Sequence, residues 1–210
     1  MPSTTPKRPR RSQPERSAAT REALVTAARP LFATHGFANV GTEAIVAAAA
    51  VTRGAMYHQF ADKTALFAAV LETVEAGVAE RLTERVAAAG VTEPVAAMRL
   101  AARAWLDACA DPDVRRIVLV DGPSVLGWAR WRALCQQYVF RLVHDLLAAA
   151  MDTGRIPRQP VAPLTHLLLG ASDEAALYVA ESADPDAART EMVAALDHLI
   201  NGLTGPPPAG

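Results

Sequence analysis

GTEAIVAAAAVTRGAMYHQFADK, residues 41–63, is the stretch that decides the fold. Ile45, Ala48, Val51, Met56 and Phe60 supply apolar contacts that lock two short helices, about 42–49 and 53–60, across the turn Ala50-Val51-Thr52. This is the pattern of a helix-turn-helix, whose second helix fits the major groove of double-stranded DNA. Thr52 suits the N-cap of that second helix, with its hydroxyl and the first free N–H groups open to a phosphate. Arg53, Gly54, Ala55, Tyr57, His58 and Gln59 are left to face outward. Arg can bridge guanine, Gln can pair with adenine, and a small residue lets the backbone approach the bases.

The surroundings agree. Upstream, Leu24, Ala28, Leu31 and Phe32 mark a helix from about 17 to Gly36, with Pro30 expected to bend it or split it in two. Residues 1–16 carry Lys7, Arg8, Arg10 and Arg11 and read as a flexible basic arm able to enter a minor groove. Downstream, Leu66, Val70, Val74, Val78, Leu82 and Val86 step by four along a helix over 64–89. Further helices are predicted at 94–110, 113–121, 125–152, 161–182 and 186–203, with an irregular tail at 205–210. The expectation is all-α, about nine helices. A three-helix DNA-binding domain (17–63) would precede a helical domain (64–204) for ligand binding and dimerisation.

Composition excludes other classes. Alanine fills 45 of 210 positions and aromatics only 11, which favours helix over strand. With 51% hydrophobic residues, wholesale disorder is excluded. The longest apolar run, Ala44 to Val51, is far short of a membrane span. The basic, proline-rich start does not read as a secretory signal, and two cysteines cannot build a disulfide framework, so a cytoplasmic location is expected. Residues 1–63 carry nine Lys/Arg against four Asp/Glu, while the rest carries twelve against eighteen. One end is thus suited to a polyanion and the other repels it.

Arg21 through Phe67, above all ARPLFATHGF (28–37) followed by AAVTRGAMYHQFADKTALF (49–67), resembles the DNA-binding domain of TetR-type transcriptional regulators. The resemblance implies a homodimer on a palindromic operator, released when a small molecule binds the C-terminal domain. It places Tyr57 and Lys63 at phosphate-contacting positions and Arg53 at a base-reading one, with Thr42 at the start of the first motif helix. The chain departs from the family pattern at three places. Gln59 stands where His is usual, Gly41-Thr42 where two hydroxyl residues are commoner, and Ala50 where Gly is usual. The alanine is tolerable only if that position need not adopt positive φ.

In the second domain Met98, Trp105, Cys109, Trp128, Trp131, Tyr138 and His144 are candidate lining of a pocket for an unknown small-molecule effector, with Phe140 nearby. Arg103, Asp121, Arg132 and His166 are possible polar handles. Leu164, Leu168, Ala171, Ala175 and Tyr178, with Met192, Leu196, Leu199, Ile200 and Leu203, repeat at three and four and predict a four-helix dimer interface. No G-x-S-x-G, glycine-rich phosphate loop or H-E-x-x-H occurs, so no catalytic residue, cofactor or metal is expected. The alternatives are a DNA-binding regulator answering to a protein partner, an activator, or, more distantly, a helical enzyme or carrier.

Overall fold

A computed structural model describes residues 12–204. The basic arm's Lys7, Arg8, Arg10 and Arg11 and the tail 205–210 lie outside the described residues. The fold is all-α. α1 (Gln13–His35), α2 (Thr42–Ala48) and α3 (Arg53–Gln59) form the head. The body follows with α4 (Lys63–Ala88), α5 (Pro94–Cys109), α6 (Pro112–Val114), a π-helical segment (Arg115–Asp121), α7 (Gly122–Leu126), α8 (Trp128–Cys135) and α9 (Val139–Asp152). α10 (Val161–Glu181) and α11 (Pro185–Gly202) close it.

α1 starts four residues earlier than its apolar spacing predicts, so the expected arm over 1–16 is shorter. The Ser12 hydroxyl accepts from Glu15 N–H while the Glu15 carboxylate accepts from Ser12 N–H. This reciprocal cap is legible as Ser-Gln-Pro-Glu. The helix also runs unbroken through Pro30. The carbonyl that loses its partner there belongs to Thr26, and both residues lie on the solvent side, where water can replace the missing donor.

Leu24, Ala28 and Phe32 of α1 meet Ile45 of α2, Met56 of α3 and Leu66, Phe67 and Val70 of α4 in one buried cluster. Phe67 sits edge-on to both Phe32 and Phe37, at 5.3 Å between ring centres in each case. Ala48, expected in this contact, is exposed; the helix turns Ala49 towards the core instead. In the body, α5 packs between α4, α9, α10 and α11. A second cluster around Met98, Leu147, Met151 and Ile156 fills the end far from the head.

The predicted single helix over 125–152 is interrupted twice. Gly127 adopts φ +74, and Gln136 to Tyr138 make a turn before α9. The short helix expected at 113–121 is mostly π-helical, a wider turn that often accompanies function.

The head also contains a strained residue. Val51 N–H donates to Val46 O and Ala50 N–H to Ala47 O, a helix-ending pattern that puts Ala50 in the left-handed region at φ +53. The condition for an unstrained alanine is not met here: the three-residue turn fixes the conformation whatever side chain stands there. A left-handed alanine costs about 1–2 kcal/mol, offset in part by the greater chain entropy of glycine. Ala50→Gly should therefore raise the unfolding free energy by roughly 0.5–1 kcal/mol, measured by urea denaturation.

Candidate nucleic-acid interface and cavity

On α3, Thr52 is the N-cap and its hydroxyl accepts from Ala55 N–H at 3.1 Å. Arg53, Gly54, Tyr57 and His58 are exposed, with Tyr57 at 44%, while Ala55 and Gln59 are half-buried. Gln59 donates to Ser17 Oγ at 2.8 Å, which holds its amide against α1. Arg53 donates to Glu43 Oε1 at 2.8 Å and lies over the Tyr57 ring at 5.7 Å. The Glu43 carboxyl is held below its ordinary value, first by backbone N–H and then by Arg53. Thr42, half-buried, donates to the same carboxylate at 3.3 Å.

Lys63 points inward more than its assigned position implies. Its Nζ donates to Phe37 O at 2.8 Å and Val40 O at 2.9 Å, over the Phe37 ring. Two of the three ammonium donors are thus committed to bracing the α1–α2 loop.

The body encloses a cavity of about 80 Å³ bounded by α4, α5, the π-helical segment, α8, α9 and α10. Trp105, Trp128 and Trp131 line it, with Arg132 and His166. Trp131 Nε1 donates to Val118 O at 2.8 Å, tying one wall to the π-helical segment. Arg132 stacks on Trp128 at 4.5 Å and donates through Nη1 to His166 Nδ1. Burial and then Arg132 push the imidazole below its ordinary value, so it accepts as a neutral ring.

Four predicted lining residues lie elsewhere. Met98 borders a neighbouring apolar void of about 30 Å³, separated from the cavity by Trp105. Cys109 is core, 2% exposed. Tyr138 turns outward to donate to Glu72 at 3.0 Å, and His144 sits beside Asp145 on the far side of Phe140. Sequence spacing cannot phase Tyr138 and His144 with Trp131 once α8 and α9 are separate helices, while Met98 and Cys109 sit at other levels of α5 than Trp105. Of the handles, Arg103 pairs with Asp197, and Asp121 accepts from Phe37 N–H at 2.8 Å, joining body to head.

Two lining carboxyls were missed, Glu75 and Asp173. Burial raises each to about 7. Glu75 was findable: four residues after Leu71 and three before Val78, it occupies the apolar face of α4.

The predicted dimer set divides. Leu164, Ala175, Leu196 and Ile200 are core of the chain itself, and Leu168, Ala171, Met192 and Leu203 are half-buried. Both helices pack on α5, so their repeats serve an internal face first. The large apolar residues left exposed on them are Leu167 (71%), Tyr178 (49%) and Leu199 (53%).

Among the described residues no helix is long and apolar enough to cross a membrane. Residues 24–70 match the family model for bacterial regulatory proteins, tetR family, and residues 95–203 the model for a tetracyclin repressor-like C-terminal domain. The Transposon Tn10 TetC protein of Escherichia coli is 24% identical over 158 residues, 75% of this chain and 79% of that protein. A TetR-family transcriptional regulator from Pectobacterium atrosepticum is 32% identical with a TM-score of 0.76, over 94% of this chain and all of that one. RolR, solved in complex with its ligand resorcinol, is 19% identical with a TM-score of 0.70, covering 94% of this chain and 99% of its own, a likeness of fold.

Buried Glu75 and half-buried Asp173 carry a pH signature. Folded Glu75 keeps its proton to about pH 7, against an ordinary value of 4.5. The folded state then holds more protons between those limits, so this group makes stability fall as pH rises through them, and Asp173 acts in the same direction. Glu75→Gln should flatten that fall. The variant should exceed the parent at pH 8 by on the order of 1–3 kcal/mol and match it near pH 4.5, measured by urea unfolding at both.

Proposed function

The chain belongs to the TetR family of DNA-binding transcriptional regulators, and from that premise we propose a homodimeric repressor that leaves a palindromic operator when a small aromatic ligand fills the body cavity. The observation that carries this reading is a continuous connection. Val118 and Leu119 wall the cavity, and Asp121, in the same π-helical segment, grips the Phe37 N–H at the head. α4 makes a second connection, from Lys63 braced against the head to Glu75 at the cavity. A ligand that displaces either wall shifts the head, and a dimer must keep its recognition helices about 34–36 Å apart to fit successive major grooves. A hundredfold preference for the displaced state supplies about 2.7 kcal/mol of coupling.

In this reading Arg53 leaves Glu43 to read a base, His58 and Gly54 face the groove beside it, and Thr52 and Tyr57 hold phosphates. Leu167, Tyr178 and Leu199 anchor the partner subunit through α10 and α11. Leu196 is core, so its substitution tests folding rather than association.

Gel shifts on an operator selected from a random duplex pool test the assignment. Arg53→Ala should weaken operator binding by about 1–3 kcal/mol with little effect on random DNA, relaxing preference at one position. Tyr57→Phe should weaken both alike, since a phosphate contact carries no sequence information. Equal losses for Arg53→Ala on the two DNAs reject its base-reading role.

Association has its own test. Leu199→Arg should convert the species seen by light scattering to the 22.2 kDa chain and abolish operator binding, with its helical content intact. A parent that is already monomeric at micromolar concentration overturns the dimer.

A further inference from the structure

Taking the cavity as the effector site proposed above, we propose that its ligand is a small organic cation, a one-ring aromatic amine whose ammonium seats between the Glu75 and Asp173 carboxyls. Glu75 is 2% exposed; the Cys135 thiol and the Val139 N–H lie beside its carboxyl, and its buried Oε2 makes no hydrogen bond. An acceptor left bare at such depth calls for a donor from the ligand, because leaving it unpaired is costly. The Trp105 indole N–H, near Asp173, is likewise buried and meets no acceptor at hydrogen-bonding geometry.

The charge count selects the sign. Around Glu75 stand Asp173 and His166 on α10, Arg132 and Cys135 on α8, Cys109 on α5 with Arg115 behind it, and Tyr138 with Glu72 on the outer side. Burial pushes both thiols up, so they stay protonated, and His166 is neutral. Of the groups lining the cavity, Arg132 is then the one cation against two carboxyls. An anion would meet both carboxyls, and a neutral ligand would leave one of them needing a proton. A monocation neutralises the site with both ionised.

The walls suit the rest of the ligand. Trp105 and Trp131 are buried, and Trp128 lies against Trp131 at 4.9 Å by the mouth. Ring faces favour a cation and accept an aromatic body. At about 80 Å³ the space equals roughly five to eight water positions, which limits the ligand to one ring and a short arm.

Binding then exchanges a proton for the ammonium. A carboxyl with its value raised to about 7 is mostly protonated at pH 6 and mostly ionised at pH 8. Asp173 titrates over the same range, so affinity for the cation should rise at least about tenfold between them, with release of one to two protons.

The test titrates the full chain with benzylamine, benzyl alcohol, phenol and benzoate, followed by tryptophan emission and calorimetry in two buffers of different ionisation heat. Benzylamine should bind at least about tenfold more tightly than the other three at pH 7.5, and at least about tenfold more tightly at pH 8 than at pH 6. Glu75→Gln should lose that advantage while keeping affinity for benzyl alcohol; Asp173→Asn repeats the measurement if the first variant is poorly folded. Benzyl alcohol or phenol binding as well as the amine overturns the cation but leaves an effector cavity standing. A preference for benzoate does the same, and gives Arg132 the leading role. Failure of all four at millimolar concentration overturns both the cation and the effector cavity, whereas operator binding in a gel shift is untouched by that result.

Discussion

The grip on Phe37 is the constraint on which the rest of the molecule depends. Asp121 accepts its N–H, Lys63 donates to its carbonyl, and its ring lies under the Lys63 ammonium and edge-on to Phe67. These contacts come from three places in the chain: the π-helical segment, the first residue of α4, and the α4 core. The short loop between α1 and α2 is thus fixed to the body by charge-assisted hydrogen bonds as well as by apolar packing. Arg29 and Asp113, 3.4 Å apart, add a further half-buried contact between the same parts. The head cannot move freely; it follows the elements that hold it.

The cavity sits where those elements pass. Glu75 lies twelve residues along α4 from Lys63, about 18 Å at the rise of an α-helix. The π-helical segment gives Val118 and Leu119 to the cavity wall and Asp121 and Arg116 to the head. Gly122, directly after it, has no room for a side chain: a Cβ there would fall 2.7 Å from Trp131 and 2.9 Å from Leu71. Trp131 of α8 and Leu71 of α4 therefore both press on the backbone of this turn, which links the indole to α4. Close-packed interiors pass on displacements because there is no slack to absorb them.

Much of this was legible in the sequence. The helix-turn-helix was readable because two short apolar patterns flank a turn whose capping residue, Thr52, can be named in advance. The long spacing in α4 fixed its length within a residue at either end. The limits were physical. Periodicity marks an apolar stripe but does not say what covers it, so Leu164, Leu196 and Ile200 read as a dimer face when they are core. Helices that follow one another with matching apolar residues read as one: the positive φ of Gly127 separates α7 from α8, and the backbone-closed turn over Gln136 to Tyr138 separates α8 from α9. Charge is assumed to face water, which hid Glu75 and Asp173. At Ala50 the sequence posed the right question, since the residue conflicts with its turn, and the turn prevails because its two closing hydrogen bonds belong to the backbone.

The pairing of Arg53 with Glu43 bears on how such a head searches. A regulator meets far more wrong sequence than right, and random encounters are held chiefly by phosphate charge. In the free chain the arginine at the front of α3 is already partnered by a carboxylate on α2, and both side chains are exposed, at 63% and 70%. A solvent-exposed pair of this kind exchanges readily. Random DNA offers the guanidinium one more negative charge in place of the one it has, so little is gained by the swap. A guanine edge in the proposed register offers two aligned acceptors, which the carboxylate contact seen here does not match. If Arg53 reads a base as proposed, the internal partner would act as a competitor carried on board, shortening dwell on irrelevant duplex while leaving the final lock on the operator nearly undiminished.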